Sequence, residues 1–195
     1  MALIMVSKTN CKQLFLAVSL MMTLPVQAEL LSAQLVKAAL ERTAHVVRYD
    51  GSYRSISYPN GDVPDNIGVC TDVVIRSYRK LGIDLQKLVH EDMRSSFDDY
   101  PSRRIWGLDR TDSNIDHRRV PNLQAFFSRH GENLEVSSSA ENYLPGDLVT
   151  WMLPGNRALS LPSGQLESRP IHSGADECWR PDAIIPDSNN CRIAN

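Results

Sequence analysis

The sequence lacks a strong net charge, a metal-binding spacing, a phosphate-binding loop, internal repeats and a hydrophobic run able to cross a bilayer. Its 21 basic residues nearly balance 23 acidic ones, and the basic pairs at 103–104 and 118–119 are too short to form a patch. We expect both pairs on the solvated surface and no nucleic-acid partner. No pair of His, Cys or carboxylate residues has ligand spacing, so no metal or other cofactor is expected.

What the sequence does contain begins with a secretory signal peptide over residues 1–28. Lys8 and Lys12 precede an apolar run, residues 14–24, which is about half the length of a membrane-spanning helix. Small residues at Val26 and Ala28 predict cleavage after Ala28. We therefore expect a periplasmic or secreted protein with no membrane anchor after cleavage. The remaining chain is long enough for one ordinary domain and too short for two.

Three cysteines follow the predicted cleavage point: Cys70, Cys178 and Cys191. An odd number in an oxidising compartment leaves one of them outside any disulfide. Pairing of Cys178 with Cys191, which are close in sequence, would leave Cys70 as a thiol. Pairing of Cys70 with either of the other two is the alternative, and it would remove a nucleophile.

The spacing of apolar residues predicts the main elements of the domain. Residues 32–44 are expected to form an amphipathic helix, and residues 45–58 a short hairpin around the Asp50-Gly51 turn. A helix is expected from Cys70 to a cap at Gly82, and a compact helix over 120–131. A short amphipathic segment is expected at 83–89 and a strand at 148–152. Residues 94–119 are expected to form a long ordered loop that covers another part of the protein.

Cys70 falls in the first turn of its predicted helix. Helix N-termini carry unpaired backbone N–H groups and a partial positive charge, which favour a thiolate there and lower a cysteine pKa. A buried structural cysteine is the alternative, because cysteine is among the most buried residue types.

Three segments, 68–78, 114–123 and 144–151, carry a family resemblance. They include Gly-Val-Cys-Thr-Asp at the helix start, Asn-Ile-Asp-His-Arg-Arg-Val-Pro-Asn-Leu, and Leu-Pro-Gly-Asp-Leu-Val-Thr-Trp. In this order the chain resembles the YijF-like bacterial family of unknown function, which is grouped with the NlpC/P60 and papain-like cysteine hydrolases. The resemblance implies an α+β fold with the cysteine helix on a small antiparallel sheet. It also implies Cys70 as the nucleophile of an amide hydrolase that acts on cell-wall peptides.

The resemblance ends near Gly155. In the superfamily the next strand presents the base within a His-x-Gly-Ile type segment, and this sequence lacks it. We therefore divide the chain into a hydrolase-like domain at 29–155 and a divergent, weakly ordered tail at 156–195, with the C-terminal strands altered or missing and only 158–161 able to extend the sheet. Two hypotheses explain the change: a shifted reading frame near Asn156, or divergence into a non-catalytic relative.

His117 is the candidate general base, because the neighbouring Asp116 can hold its tautomer. The alternative is a structural histidine. His45, His90 and His130 are expected at element ends, and His172 lies in the unmatched tail. The sequence thus leaves three possibilities open: a cysteine hydrolase, an exported module that binds a peptide without catalysis, and a truncated product that does not fold stably.

Overall fold

In the computed structural model, residues 23–153, 157–162 and 191–194 are described, and they form helices with a small antiparallel sheet. The predicted α+β class is confirmed at this level. The helices are α1 (Thr23–Arg42), α2 (Cys70–Lys80), α3 (Leu85–Ser95), α4 (Ser102–Trp106) and α5 (Val120–His130). The helix predicted at 32–44 is longer at its N-terminus, so the predicted cleavage point after Ala28 lies inside α1.

The strands are β1 (Arg48–Tyr49), β2 (Ile67–Gly68), β3 (Glu132–Leu134), β4 (Leu148–Leu153), β5 (Arg157–Pro162) and β6 (Cys191–Ala194). The sheet has the order β3-β6-β4-β5, and its paired strands are antiparallel. The strand predicted at 148–152 and the sheet extension predicted at 158–161 are confirmed. Strands β5 and β6 both come from the predicted tail, so the expectation that only residues 158–161 can extend the sheet is wrong: β6 pairs with β3 and β4. Cys178 lies outside the described residues.

Helix α2 begins and ends as its sequence predicts. Val69 is the N-cap residue, and the Val69 backbone N–H donates a hydrogen bond to the Asp72 carboxylate at 2.7 Å. Gly82, just beyond the C-terminus, has a φ of +81°, a conformation that glycine adopts without a steric penalty. The buried face includes Val74 and Tyr78. Cys70 is therefore the first residue of a helix with one face in the core.

The core lies where α1, α2, α3 and α5 meet the start of β4. Each helix contributes an apolar face, and burying these faces together is the main force that stabilises the fold. Its best-buried members are Leu35, Val74, Ile75, Leu85, Val89, Met93 and Leu123. Among the described residues, no helix is both long and apolar enough to cross a membrane.

The hairpin predicted at 45–58 is wrong. Residues 48–49 pair in parallel with residues 67–68, and residues 50–57 form no strand. The Asp50 carboxylate accepts hydrogen bonds from the Ser52 backbone N–H and the Arg54 side chain. The Tyr53 hydroxyl donates to Asp112, 59 residues along the chain. Local side-chain bonds thus replace the strand ladder, and a distant carboxylate holds the segment in place.

The long loop predicted at 94–119 is partly wrong. The end of α3, a 3-10 turn at Phe97–Asp99, helix α4 and a second 3-10 turn at Asp116–Arg118 occupy much of it. Tyr100 anchors the segment, because its ring is buried and its hydroxyl donates to Asp92. The expectation that this segment covers another part of the protein agrees with the structure, because the segment lines a cleft.

Candidate active-site cleft

A cleft of about 1250 Å³ opens where α2 begins. Its walls come from the end of β1, the start of α2, helix α4 and the first turn of α5. Cys70 is half-buried and lines this cleft. The predicted nucleophile therefore combines access from a cleft with the partial positive charge of a helix N-terminus.

The two residues after Cys70 hold the part of the cleft wall formed by Arg118 and Arg119 in place. The Thr71 hydroxyl donates to the Arg118 carbonyl oxygen at 2.9 Å. The Arg118 guanidinium donates from Nε and Nη2 to the two oxygens of Asp72, each at 2.9 Å. Both side chains of this ion pair are almost fully buried. The position of residues 116–119 relative to Cys70 is thus fixed by a bidentate pair and a third hydrogen bond.

Arginines are a large part of the cleft lining. Four arginines line it, at positions 103, 104, 118 and 119, together with two aspartates at 98 and 99. Three of the four arginines, at 103, 118 and 119, each pair with an aspartate. The expectation that the 118–119 pair lies on the solvated surface is wrong for Arg118, which is buried. Trp106 also lines the cleft, and its ring lies under the Arg119 guanidinium. Sequence reasoning missed Arg119 and Trp106 as site residues; the available signal was a tryptophan at position 106 within an otherwise polar stretch.

His117 lies outside the set of residues that line the cleft. Its side chain is buried in the 3-10 turn, which packs against α2, α3 and α5. Among the described residues, its Nδ1 has no hydrogen-bond partner. Burial lowers the pKa of His117 from 6.5 to about 4, with Asp72 opposing the shift and Arg118 reinforcing it. The histidine is therefore neutral at pH 7 and a weak base.

Burial acts on Asp116 in the opposite sense. It raises the pKa of the Asp116 carboxyl from 3.8 to about 6, against the lowering effects of the Asp112 backbone N–H and Arg119. Folding thus disfavours the charged form of both neighbours. No group of His, Cys, Asp and Glu in the described ranges is placed to hold a metal ion.

These opposite shifts predict opposite pH dependences. Between pH 6.5 and about 4, unfolded His117 is protonated and the folded residue is not, so its contribution to stability is lost as the pH falls. The stability cost of His117→Gln should therefore shrink by about 2 kcal/mol between pH 7 and pH 4.5. Urea unfolding at both pH values measures it.

Asp116→Asn is the matched comparison. Folded Asp116 holds its proton up to about pH 6, so this group favours the folded state increasingly as the pH falls. The cost of Asp116→Asn should therefore rise over the same range. If the stability costs of the two variants change in the same direction with pH, this would contradict the opposite pKa shifts assigned to His117 and Asp116.

The comparisons with known proteins show the family. Residues 36–161 match the family described as a domain of unknown function, DUF1287, and the chain belongs to it. The uncharacterized protein YijF of Escherichia coli strain K12 is 49% identical over 120 residues, which cover 62% of this chain. This confirms the YijF-like resemblance. The chain spans 58% of the length of that curated relative. No solved structure matches the chain significantly.

Proposed function

We propose that the protein is an exported, thiol-dependent amide hydrolase of the NlpC/P60 type that acts on cell-wall peptides. The observation that carries the proposal is the position of Cys70, which is the first residue of α2 and lines the cleft. The packing of α2 against β5 of the antiparallel sheet supports the NlpC/P60 comparison. The predicted signal peptide is the basis for export.

In the proposed reaction, the Cys70 thiolate attacks the carbonyl carbon of a peptide bond. The carbonyl electron pair moves to oxygen, and backbone N–H groups at the helix start stabilise the oxyanion. The C–N bond then breaks, and the leaving amine takes up the proton that the thiol lost on ionising, which leaves a thioester on Cys70. Water attacks the thioester and releases the new carboxylate, and of the two protons of this water one returns to the Cys70 sulfur and the other goes to solvent.

His117 stays the predicted base of this reaction. Its support is its place in the chain, since Arg118 and Arg119 directly after it line the cleft. A base must lie within hydrogen-bond reach of the thiol or act through one water. The helix N-terminus also favours the thiolate directly, which reduces the demand on a base.

The second candidate function is a non-catalytic module that binds a peptide in the same cleft. The burial of His117 outside the cleft lining favours it, together with a pKa of about 4. In this case Cys70 is a wall residue of a binding site, and the arginines provide the attraction for an anionic peptide.

Alkylation by iodoacetamide across pH tests the thiol. We expect Cys70 to react with a midpoint clearly below the ordinary cysteine pKa of about 8.5. Peptide mapping by mass spectrometry assigns the label to Cys70 among the other cysteines. Cys70→Ala is the control, and it should lose this label while keeping the same cooperative thermal transition.

Hydrolysis is measured in parallel as new amino groups released from purified cell-wall peptides. Release by the wild type and not by Cys70→Ala supports the hydrolase. If no amino groups are released, a labelling midpoint below the ordinary cysteine pKa or specific binding of a peptide favours the binding module. Labelling that follows ordinary thiol ionisation, with no release, rejects the hydrolase.

A further inference from the structure

We propose that the Arg119 guanidinium, stacked on Trp106, binds a carboxylate of the substrate next to the carbon that Cys70 attacks. The substrate class is then a peptide with a carboxylate beside the reacting bond. This inference deepens the function proposed above and rests on it, because it takes Cys70 as the reacting group.

The first support is the way in which Arg119 is held. Its guanidinium carbon lies 4.4 Å from the centroid of the Trp106 ring. Its Nη1 donates to Asp116 Oδ1 at 3.0 Å, and 20% of the side chain is exposed. Arginine has five N–H donors, so among the described residues this single hydrogen bond leaves about four available. The group is fixed by a ring and a carboxylate while much of its donor capacity remains.

The second support is the position of Arg119 relative to Cys70. Residue 118 is bound to Thr71 and Asp72, the two residues that follow Cys70. The next residue, Arg119, lines the same cleft as Cys70. Arg119 follows Arg118, and Cys70 precedes Thr71 and Asp72, so the bonds of Arg118 to these two residues keep the Arg119 guanidinium and the Cys70 thiol at the same cleft. The Arg118 and Asp72 side chains that make this connection are themselves buried.

The third support is the state of the acidic groups in the cleft. Asp98 pairs with Arg103, and Asp99 pairs with Arg129. These carboxylates are therefore already bound to other cations. A planar guanidinium with available donors matches a carboxylate in two parallel hydrogen bonds, and stacking on an aromatic ring reduces the ordering required. An anionic ligand of this shape fits better than a cationic or neutral one.

The test compares iodoacetate with iodoacetamide as alkylating reagents for Cys70. The two are nearly the same size and differ in charge, and the carboxylate of iodoacetate is bonded to the carbon that the sulfur attacks. The ratio of their rate constants on Cys70, divided by the ratio on N-acetylcysteine, reports anion recognition. We expect a normalised ratio of about five or more in the wild type, as one favourable charge-assisted contact would give.

The variants assign the effect to one residue. Arg119→Gln should bring the normalised ratio within about twofold of unity, because its amide can still donate to Asp116 but carries no charge. Arg119→Lys should be intermediate, since it keeps the charge and loses the fork. Arg94→Gln removes an exposed charge outside the cleft lining and should leave the ratio unchanged. If Arg119→Gln folds poorly, Trp106→Leu replaces it and should lower the ratio by removing the stack.

A wild-type ratio near unity overturns the proposal. So does a high ratio that Arg104→Gln reduces as much as Arg119→Gln, or that about 0.5 M salt abolishes, because a diffuse positive field would behave in this way. The ratio is measured at a pH where the thiol is ionised. An ordinary iodoacetamide profile with no release from cell-wall peptides would therefore reject the hydrolase and still leave the carboxylate site to be decided by the ratio.

Discussion

Replacing Arg118 with methionine is expected to lower the free energy of unfolding by about 3 to 5 kcal/mol. The variant leaves the Asp72 carboxylate buried without its bidentate partner. Burial alone lowers the pKa of Arg118, but the hydrogen bonds and charge of Asp72 outweigh it, and the pKa lies above its ordinary value. Urea denaturation followed by circular dichroism at pH 7 measures the loss.

Arg103→Met is the matched control, because Arg103 pairs with Asp98 at an exposed position. Its cost should stay below about 1 kcal/mol. The double variant Asp72→Leu with Arg118→Met should be more stable than the sum of the single losses predicts, since no charge is then left buried. A cost for Arg118→Met no larger than that for Arg103→Met would contradict the structural role of the pair.

Replacing Gln86 with leucine is expected to cost about 3 kcal/mol, because three backbone groups lose a buried partner. The Gln86 Oε1 accepts from the Gly61 N–H at 2.8 Å. Its Nε2 donates to the carbonyl oxygens of Ser57 and Ser113 at 2.8 and 3.0 Å. One side chain thus joins the loop before α2 to the segment that leads to residues 116–119.

Hydrogen exchange gives this prediction a local measurement. The Gly61 amide should exchange slowly in the wild type and quickly in Gln86→Leu. Gln34→Leu, at an exposed position on α1, makes the same substitution without buried hydrogen bonds and should change stability by no more than about 0.5 kcal/mol. An unchanged Gly61 exchange rate would show that Gln86 does not hold this loop.

The difference between the successful and the failed sequence predictions lies in the range of the interactions. Helix α2 follows from apolar spacing and from Gly82, all within one short segment. The segment at 45–58 has the alternation of a hairpin, but a bond from Tyr53 to Asp112 holds it elsewhere. The alternation of apolar and polar residues shows which side chains can face a core. It does not show which other segment of the chain they contact.

The candidate site divides in the same way. Cys70 could be found from sequence because a helix start is marked by residues near it. Arg118 and Arg119 could not, since an arginine pair has the same local pattern on a surface as in a buried ion pair. Arg118 is buried because it pairs with Asp72, which lies 46 residues away in the sequence but 2.9 Å away in the folded structure.

By itself, the sequence determined the α+β class, the family and the placement of Cys70 in the first turn of a helix. Periodicity, capping and motif order are local properties, and local physics is enough to fix them. Only the tertiary structure decided that Cys70 lines an arginine-lined cleft and that His117 is buried outside its lining. Burial and ion pairing depend on which distant segments meet, and that is settled by packing the whole chain at once.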